Sequence, residues 1–330
     1  MRVMIKNKCV TTLEGLSLSG DHYDMLICCS SFEKRCLALA SSIRSENIDT
    51  ALVCRYVEPA QLSLENHKKL MGLLKDKAIE TSFDKDNPLA IYDTLHDAIR
   101  QRNPKSILFD ISTFTRESIL IALMLFRQES FCDIKVIFGY VPADRYSLAN
   151  KDDINEIWLS KGVNEIRTVL GYAGSYSSLK KTLLVVLVGF EMERANILIS
   201  NFEADKLYLG SVPPEESYSA ELSKINKDNF RRLVSLVGVC NTFEFSCRDL
   251  QQTQNVLKQI IEDNQDNYNI IISPMNNKIS TLAVANVAFE YPDVQICYAS
   301  TNQYNTEAYS SQTDNVILFE FSNSTEIIKD

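Results

Sequence analysis

The chain has 330 residues, of which 45% are apolar and 23% charged, a composition typical of a globular protein of about two domains. Its net charge of −9 argues against direct binding to duplex DNA, which requires basic surface to neutralise phosphates. The longest apolar run near the middle, residues 183–190, is too short to cross a bilayer, which takes about 20 residues, so we expect no membrane association.

The spacing of the cysteine, histidine and glycine residues argues against several classes of protein. The nine cysteines show no CxxC spacing and the first residues do not resemble a secretory signal, so we expect reduced thiols in a cytoplasmic protein. His22, His67 and His96 lack the spacing of metal ligands, and no metal site is predicted. Neither GxGxxG nor GxxxxGK[ST] occurs among only ten glycines, so the sequence predicts no cofactor of the dinucleotide or P-loop type.

Strands and helices alternate along the chain and divide it into four parts. Residues 1–20 are predicted to form an N-terminal strand or arm, and residues 21–150 a first domain. Residues 151–181 are predicted to be a linker, and residues 182–330 a second domain. The apolar segment 315–322 is predicted to be a strand that returns to the edge of a sheet.

The second domain repeats the order of the first. Residues 25–40 and 183–198 each begin with an apolar strand and a short turn and end in an apolar helix, with Phe-Glu at 32–33 and at 190–191. Each segment continues through a helix into a further strand. Such self-similarity at matched positions predicts an internal duplication.

A second pair of segments strengthens the repeat. Residues 106–126 and 269–288 each read as a continuous apolar strand, a polar loop and an apolar helix, and Arg116 falls opposite Lys278. Strands that are apolar throughout are typical of parallel sheets covered by helices on both faces. We therefore predict two tandem Rossmann-like α/β domains, each a three-layer α/β/α sandwich with a mostly parallel sheet.

Polar loops follow the predicted strands at the edge where such sheets bind ligands. They offer hydroxyl and amide donors in front of helix N-termini, where an anion is favoured, and Arg116 and Lys278 would add compensating charge. A nucleotide-like anion is the implied ligand. The predicted ligand-binding residues are Ser30, Ser31, Glu33, Asp110, Ser112, Thr113, Thr115, Arg116, Glu191, Arg194, Ser273, Asn276, Asn277 and Lys278.

A purely structural interpretation stays open for the same residues. Ser, Thr and Asn are favoured helix N-caps, and Asp110 could accept hydrogen bonds within its own turn. Arg116 and Lys278 could be solvated residues of the first helical turn. The Glu33 pair with Arg35, like its counterpart in the second domain, could be a surface ion pair at a helix start.

The segment 110–116, Asp-Ile-Ser-Thr-Phe-Thr-Arg, resembles the Asp-x-Thr-Gly-Gly-Thr-Lys signature of CARF domains, Rossmann-like sensors of cyclic oligoadenylates in CRISPR-linked defence. The resemblance implies ligand contacts from both repeats and adds Gly189, in the short loop after the first strand of the second domain. Two tandem units in one chain are also similar to SAVED sensors of antiphage systems. The glycine pair is replaced by residues 113–114 and 275–276, and Ile272 stands opposite Asp110.

Three functions follow as hypotheses. The first is a regulatory subunit that senses a cyclic-oligonucleotide-like signal and acts through a separate effector protein in antiphage defence. A homodimer is one assembly that this hypothesis allows. The second is a metal-independent, ring-nuclease-like hydrolase using Arg116, Lys278, Ser30 and Asp110 to position a ribose hydroxyl and stabilise charge. The third is a non-catalytic scaffold subunit of a defence complex.

Overall fold

A computed structural model describes residues 2–57, 61–146, 158–217, 220–307 and 310–324. The chain forms two compact units, the first from residues 1–147 and 309–330 and the second from residues 148–308. Within the described ranges, no helix is long and apolar enough to cross a membrane.

The first unit is built on a seven-stranded sheet with the order β1-β17-β6-β5-β2-β3-β4. Its elements are β1 (Arg2–Thr12), α1 (Leu13–Leu18), β2 (Tyr23–Ser30), α2 (Ala38–Ser42), β3 (Ile48–Tyr56), α3 (Gln61–Leu74), β4 (Ala78–Phe83), α4 (Pro88–Arg102), β5 (Ser106–Asp110), α5 (Arg116–Phe126), β6 (Lys135–Tyr140), β7 (Ala143–Tyr146), β16 (Ser310–Gln312) and β17 (Asn315–Ser324).

The second unit is built on a six-stranded sheet with the order β12-β11-β10-β13-β14-β9. Its elements are β8 (Ser160–Lys161), β9 (Ile166–Thr168), β10 (Lys181–Leu187), α6 (Met192–Phe202), β11 (Lys206–Ser211), α7 (Ala220–Val237), β12 (Asn241–Glu244), α8 (Leu250–Glu262), β13 (Tyr268–Pro274), α9 (Lys278–Glu290), β14 (Gln295–Ala299) and β15 (Gln303–Tyr304).

The two sheets share one topology. In each, the parallel part starts from a central strand, β2 or β10, and the next two strands, β3 and β4 or β11 and β12, add outward on one side. The chain then returns to add two strands on the other side, β5 and β6 or β13 and β14. All these pairings are parallel, and an antiparallel strand follows them, β17 in the first unit and β9 in the second. The predicted fold class is confirmed, and the shared strand order is what an internal duplication predicts.

Side chains of the first sheet alternate between its two faces, and helices cover both faces. Leu26 faces a cluster that includes Leu39 of α2 and Leu70 of α3. On the other face, Phe109 and Phe138 each lie within 6.2 Å of the ring of Phe126 in α5. Helices therefore cover the first sheet on both sides, as the continuous apolar strands predicted.

The second sheet is covered in the same way. Val186 packs with Leu198 of α6 and Leu233 of α7 on one face. On the opposite face α9 packs against β13, and α8 packs against α9. Residues 279–289 of α9 are all buried, so this helix is enclosed on every side.

Local signals explain where the helices begin and end. The α4 helix begins after Asn87, whose side chain accepts a hydrogen bond from the backbone N–H of Ala90 at 3.1 Å, and Pro88 occupies the first helical position. It ends at Asn103, which adopts a left-handed conformation with φ of 46°. These residues account for the sharp bounds of the helix.

The predicted domain ranges need correction at three places. Residues 2–12, expected in a separate arm, form the edge strand β1 of the first sheet, and β8 and β9 place residues 160–168 of the expected linker in the second unit. Residues 315–324 leave the expected second domain and lie inside the first sheet as β17, not at its edge. That position gives β17 hydrogen-bonding partners on both sides, and its apolar side chains at 316–319 are buried. Residues 147–157 lie outside the described residues.

Candidate functional site

The predicted residues of the first unit gather where β2 and β5 end. These strands are neighbours, and between them the chain reverses the side on which it adds strands. Open parallel sheets bind ligands at such a switch point, outside the carboxyl ends of the strands. The hydroxyl of Thr113 donates to the carbonyl of Cys29 at 2.6 Å, which ties the two loops together.

Thr115 caps the helix that follows β5. Its Oγ1 accepts a hydrogen bond from the backbone N–H of Ser118 at 3.1 Å. The backbone N–H of Thr115 donates to the hydroxyl of Tyr56 at 3.0 Å, and that hydroxyl lies 2.7 Å from Ser118 Oγ. The structural interpretation therefore holds for Thr115, and Tyr56 is a partner that the sequence did not suggest.

Asp110 is a buried carboxyl with only one of its oxygens satisfied. Its Oδ1 accepts from the backbone N–H of Ser112 at 2.9 Å, whereas Oδ2 has no hydrogen-bond partner among the described residues. Burial raises the pKa of Asp110 to about 6, against the lowering effects of the Ser112 hydrogen bonds and the Arg35 charge. Ser112 is fully buried, and its Oγ accepts from the N–H of Val141 at 2.9 Å.

Glu33 and Arg35 form an ion pair in which Arg35 is buried and Glu33 is partly buried, which corrects the expected surface pair. The Arg35 guanidinium contacts both carboxylate oxygens of Glu33, at 2.7 and 3.2 Å, and also donates to the carbonyl of Val141. The hydroxyl of Ser310, in β16, donates to Glu33. Because β16 pairs with β7, this pair holds a two-stranded ribbon at the end of the sheet.

The second unit repeats this arrangement with different residues. Arg194 lies 2.8 Å from the carboxylate of Glu191, and Ser160, in β8, donates to that carboxylate. The strand β8 pairs with β15, so a ribbon is again held at the end of the sheet. Burial lowers the pKa of Arg194, but the Glu191 carboxylate, together with Tyr298 and Tyr304, offsets this and leaves the pKa above its usual value.

The loops after β10 and β13 also lock together. Asn276 donates to the carbonyl of Val188 at 2.7 Å, as Thr113 does in the first unit. A side chain at Gly189 would overlap the carbonyl oxygen of Met275, so close approach of the two loops explains this glycine. Asn277 caps α9 by accepting from the N–H of Ser280 at 2.9 Å.

Three predicted serines are held by backbone groups. The hydroxyl of Ser273 donates to the carbonyl of Cys297 at 3.3 Å, and Ser31 Oγ accepts from the N–H of Glu33 at 3.3 Å. Ser30 donates to the carbonyl of Cys54 and lies 3.2 Å from His67 Nδ1. His67 could not be predicted as a partner of Ser30, because no sequence motif links two residues that are 37 positions apart.

The two predicted basic residues at helix starts differ from the other predicted ligand-binding residues in their position. Arg116 and Lys278 are the first residues of α5 and α9, and both are partly exposed. Each is next to a capped helix N-terminus at the switch point of its own sheet, where the helix dipole favours an anion. The arrangement is thus a pair of preorganised loops in which cations and backbone N–H groups, more than side-chain hydroxyls, can meet a ligand.

One further group has residue types that bind metals. His22, Asp24 and Asp49 offer ligand atoms within 4.8 Å of one another. The two ring nitrogens of His22 face different carboxylates, at 4.0 Å from Asp24 and 3.1 Å from Asp49, and Asp24 already accepts from the backbone N–H of Lys105. In this geometry His22 bridges the carboxylates of Asp24 and Asp49 near the start of β2.

Comparisons with known proteins do not assign the chain to a family. No family model and no curated protein match it. Among solved structures, a universal stress protein from Archaeoglobus fulgidus aligns at 9% identity with a TM-score of 0.26, covering 86% of this chain and 97% of that one. The UDP-GlcNAc 2-epimerase from Neisseria meningitidis aligns at 12% identity and a TM-score of 0.24 over 76% of both chains. The cytoplasmic domain of a prokaryotic cation chloride cotransporter aligns at 10% identity and a TM-score of 0.26, over 87% of this chain and 96% of that one.

Proposed function

We propose that the chain is a sensor that binds a nucleotide-derived anion at the N-termini of α5 and α9. The observation that carries the proposal is the matched placement of Arg116 and Lys278. Each is the first residue of a largely buried helix that begins at the switch point of a parallel sheet. The same constellation therefore occurs twice in one chain, with the cation retained although its side chain differs.

The electrostatics of the two sites support an anion. The backbone N–H groups of a helix's first turn and its dipole favour negative charge, and a guanidinium or ammonium group adds to that field. The N-caps Thr115 and Asn277 occupy the N–H groups of Ser118 and Ser280, three residues further on, and fix the helix start. Such fixed donors lose little entropy when a ligand binds, which favours affinity.

The proposed ligand is a cyclic oligonucleotide or a similar signal with several phosphates. Each site, with one cation and the N–H groups of a helix start, suits a phosphate group of such a ligand. In this proposal the chain is a regulatory subunit that resembles CARF and SAVED sensors, and a separate effector protein delivers the response in antiphage defence.

Thermal unfolding and isothermal titration with cyclic oligoadenylates and cyclic dinucleotides test the proposal. A ligand at 100 times its Kd would stabilise the folded chain by about 2.7 kcal/mol. Arg116→Ala and Lys278→Ala are expected to weaken binding at least about tenfold each, as loss of a charge-assisted contact implies. The matched controls Arg102→Ala, in the last turn of α4, and Lys224→Ala, on α7, should bind like the wild type.

Two results would overturn the proposal: no member of the panel binds at millimolar concentration, or both variants bind as tightly as the controls. Chromatography of the recovered ligand separates a sensor from the hydrolase alternative, since an intact ligand indicates binding alone. Affinity purification from cells that carry the native operon tests for the effector protein.

A further inference from the structure

Three side chains of the first unit are arranged in series where β2 ends. Ser30 Oγ lies 3.2 Å from Nδ1 of His67, and Nε2 of His67 lies 3.1 Å from Oε1 of Glu80. The second contact has the distance of an ion pair but not the alignment of a hydrogen bond. Glu80 is in turn held by Arg55, whose Nε donates to the same oxygen at 3.0 Å. A hydroxyl, an imidazole and a carboxylate in this order are the elements of an activated nucleophile.

The elements that carry these groups are fixed independently. Ser30 is the last residue of β2, Glu80 lies on β4, and the strand β3 between them carries Arg55. His67 projects from α3, where its neighbour Asn66 donates to the carbonyl of Ser31 at 2.9 Å. The helix is therefore attached to the loop that follows Ser30, so the imidazole and the hydroxyl keep their relative position.

The fold itself does not require a serine at this position. The Phe-Glu pairs at 32–33 and 190–191 place Ser30 opposite Val188, which is buried in the apolar cluster of the second unit. An apolar residue thus completes the same topology, whereas a buried hydroxyl and a buried imidazole must both be desolvated. These polar residues occur in only one of two units that share the same strand order, which indicates a catalytic role more than a structural one.

We propose that Ser30, His67 and Glu80 form a catalytic site that hydrolyses carboxylic esters through an acyl-enzyme. This activity is separate from the anion binding described above and uses neither Arg116 nor Lys278. Ser30 would be the nucleophile and His67 the general base, while Glu80 would be a positioning residue that keeps Nε2 protonated and Nδ1 free to accept. The neutral tautomer of histidine has this distribution when Nε2 faces a carboxylate.

The reaction balances with water as the only co-reactant. The Ser30 hydroxyl donates to the carbonyl of Cys54 in the resting structure and would first turn to Nδ1 of His67. Its proton then passes to Nδ1 as Oγ forms a bond to the carbonyl carbon of the ester. The bond from that carbon to the alcohol oxygen then breaks, and the leaving alcohol takes the proton from His67. Water attacks the acyl group with the same base, the carbon–Oγ bond breaks, and the acid is released with Ser30 restored.

Ser30 and His67 are only 4% and 8% exposed, so small esters are the substrate class that the site would accept. Glu80 is reached by solvent, with 48% of its side chain exposed, so it acts on His67 from the open side of the site. Short acyl chains such as acetyl and butyryl match this limited access.

Labelling with a fluorophosphonate probe, mapped by mass spectrometry, and hydrolysis of p-nitrophenyl acetate test the proposal. The wild type is expected to be labelled at Ser30 and to release p-nitrophenol with an initial burst. Ser30→Val, which copies the residue of the second unit and so preserves the fold, should abolish the label. His67→Gln should slow labelling at least about 100-fold, as expected for loss of a general base, and Glu80→Gln about tenfold.

Ser42→Ala in α2 and His96→Gln in α4 are the matched controls and should keep wild-type labelling and hydrolysis. The midpoint of thermal unfolding checks that each variant is folded. For Glu80→Gln, labelling should slow while the midpoint of thermal unfolding stays unchanged, and Glu80→Asp should recover part of the rate, which a purely structural role would not predict. No label on the wild type after prolonged exposure, a label on another serine, or equal labelling of a folded His67→Gln variant would each overturn the proposal.

Discussion

Gly189 lies against the backbone of Met275, so closely that a β-carbon at position 189 would overlap the Met275 carbonyl oxygen. The neighbouring Asn276 donates to the carbonyl of Val188 and closes the same contact from the other side. The two loops at the switch point of the second sheet thus meet through backbone atoms. Any ligand there faces a rigid floor formed by main chain.

Gly189→Ala is therefore expected to destabilise the second unit by at least about 1–3 kcal/mol, because main-chain atoms cannot move aside as a flexible side chain would. Urea denaturation measures the loss. Gly72→Ala is the matched control: position 72 is an exposed site in α3 with open space around it, and alanine there should stabilise by about 0.5–1 kcal/mol. Equal effects of the two substitutions would show that the loops are further apart than described.

Removing the helix caps should cost each unit a similar amount. Thr115→Ala and Asn277→Ala each remove the acceptor of a hydrogen bond from a backbone N–H, so we expect a loss of about 1 kcal/mol, within a range of about 0.5–2. Thr115→Ser retains an acceptor and should stay close to the wild type in urea denaturation, whereas Asn277→Asp retains the cap but loses the amide donor to the carbonyl of Cys247 and should lie between the wild type and Asn277→Ala. Alanine variants as stable as these would argue that the caps are not formed in solution.

The partly buried ion pair in the first unit should be more sensitive than an exposed one. Arg35→Leu removes the guanidinium from the partly buried Glu33 and leaves it the hydrogen bond from Ser310, so the expected loss is up to about 3 kcal/mol, the lower end of the range for a fully buried pair. In the double variant Glu33→Leu/Arg35→Leu both charges are gone, so it should be more stable than the single variant. The exposed pair of Arg231 with Asp228, 3.8 Å apart, provides the control, and Arg231→Ala should cost about 1 kcal/mol or less.

Asp110 should make stability depend on pH in an unusual direction. Its pKa of about 6, against 3.8 ordinarily, means that the folded state binds its proton more tightly than the unfolded state does. The carboxyl contributes stability below about pH 4, and this contribution is lost as the pH rises through 6. The full difference is about 3 kcal/mol, an upper value.

Asp110→Asn keeps the oxygen that accepts from Ser112 and removes the charge, so it should be more stable than the wild type at pH 7.5. The difference should vanish by pH 4, where both side chains are neutral. Chemical denaturation across this range measures it. A variant that is less stable than the wild type at pH 7.5 would instead indicate that the Asp110 charge is well paired in the folded state, with Arg35 as the nearest candidate.

The repeat in the sequence was enough to predict parallel strands covered by helices, and the hydroxyl and amide residues of the loops allowed helix caps as one interpretation, because these features depend on residues close together in the chain. The contacts that complete the site could not be predicted this way. Ser310 reaches Glu33 across 277 positions, through a ribbon that follows from the position of β17. An apolar strand such as β17 can add to either sheet, and its own residues do not determine which.

His67 and Tyr56 were missed for a related reason. Each lies on an element whose sequence pattern indicates only a helix or a strand, and each meets a loop residue that is 37 or 59 positions away. The expected surface pair of Glu33 and Arg35 was wrong because charged side chains are normally solvated, whereas here Arg35 is buried and Ser310 of the ribbon contacts Glu33.

The insertion of β17 between β1 and β6 also sets an order of events during protein synthesis. Residues 148–308 form a continuous unit whose synthesis is finished before residues 315–324 are added. The first sheet, although most of its strands are synthesised earlier, cannot close until its last strand arrives. The second unit is therefore the part of the chain that can mature first, and the N-terminal strand β1 must wait for the far end of the chain before it finds its neighbour.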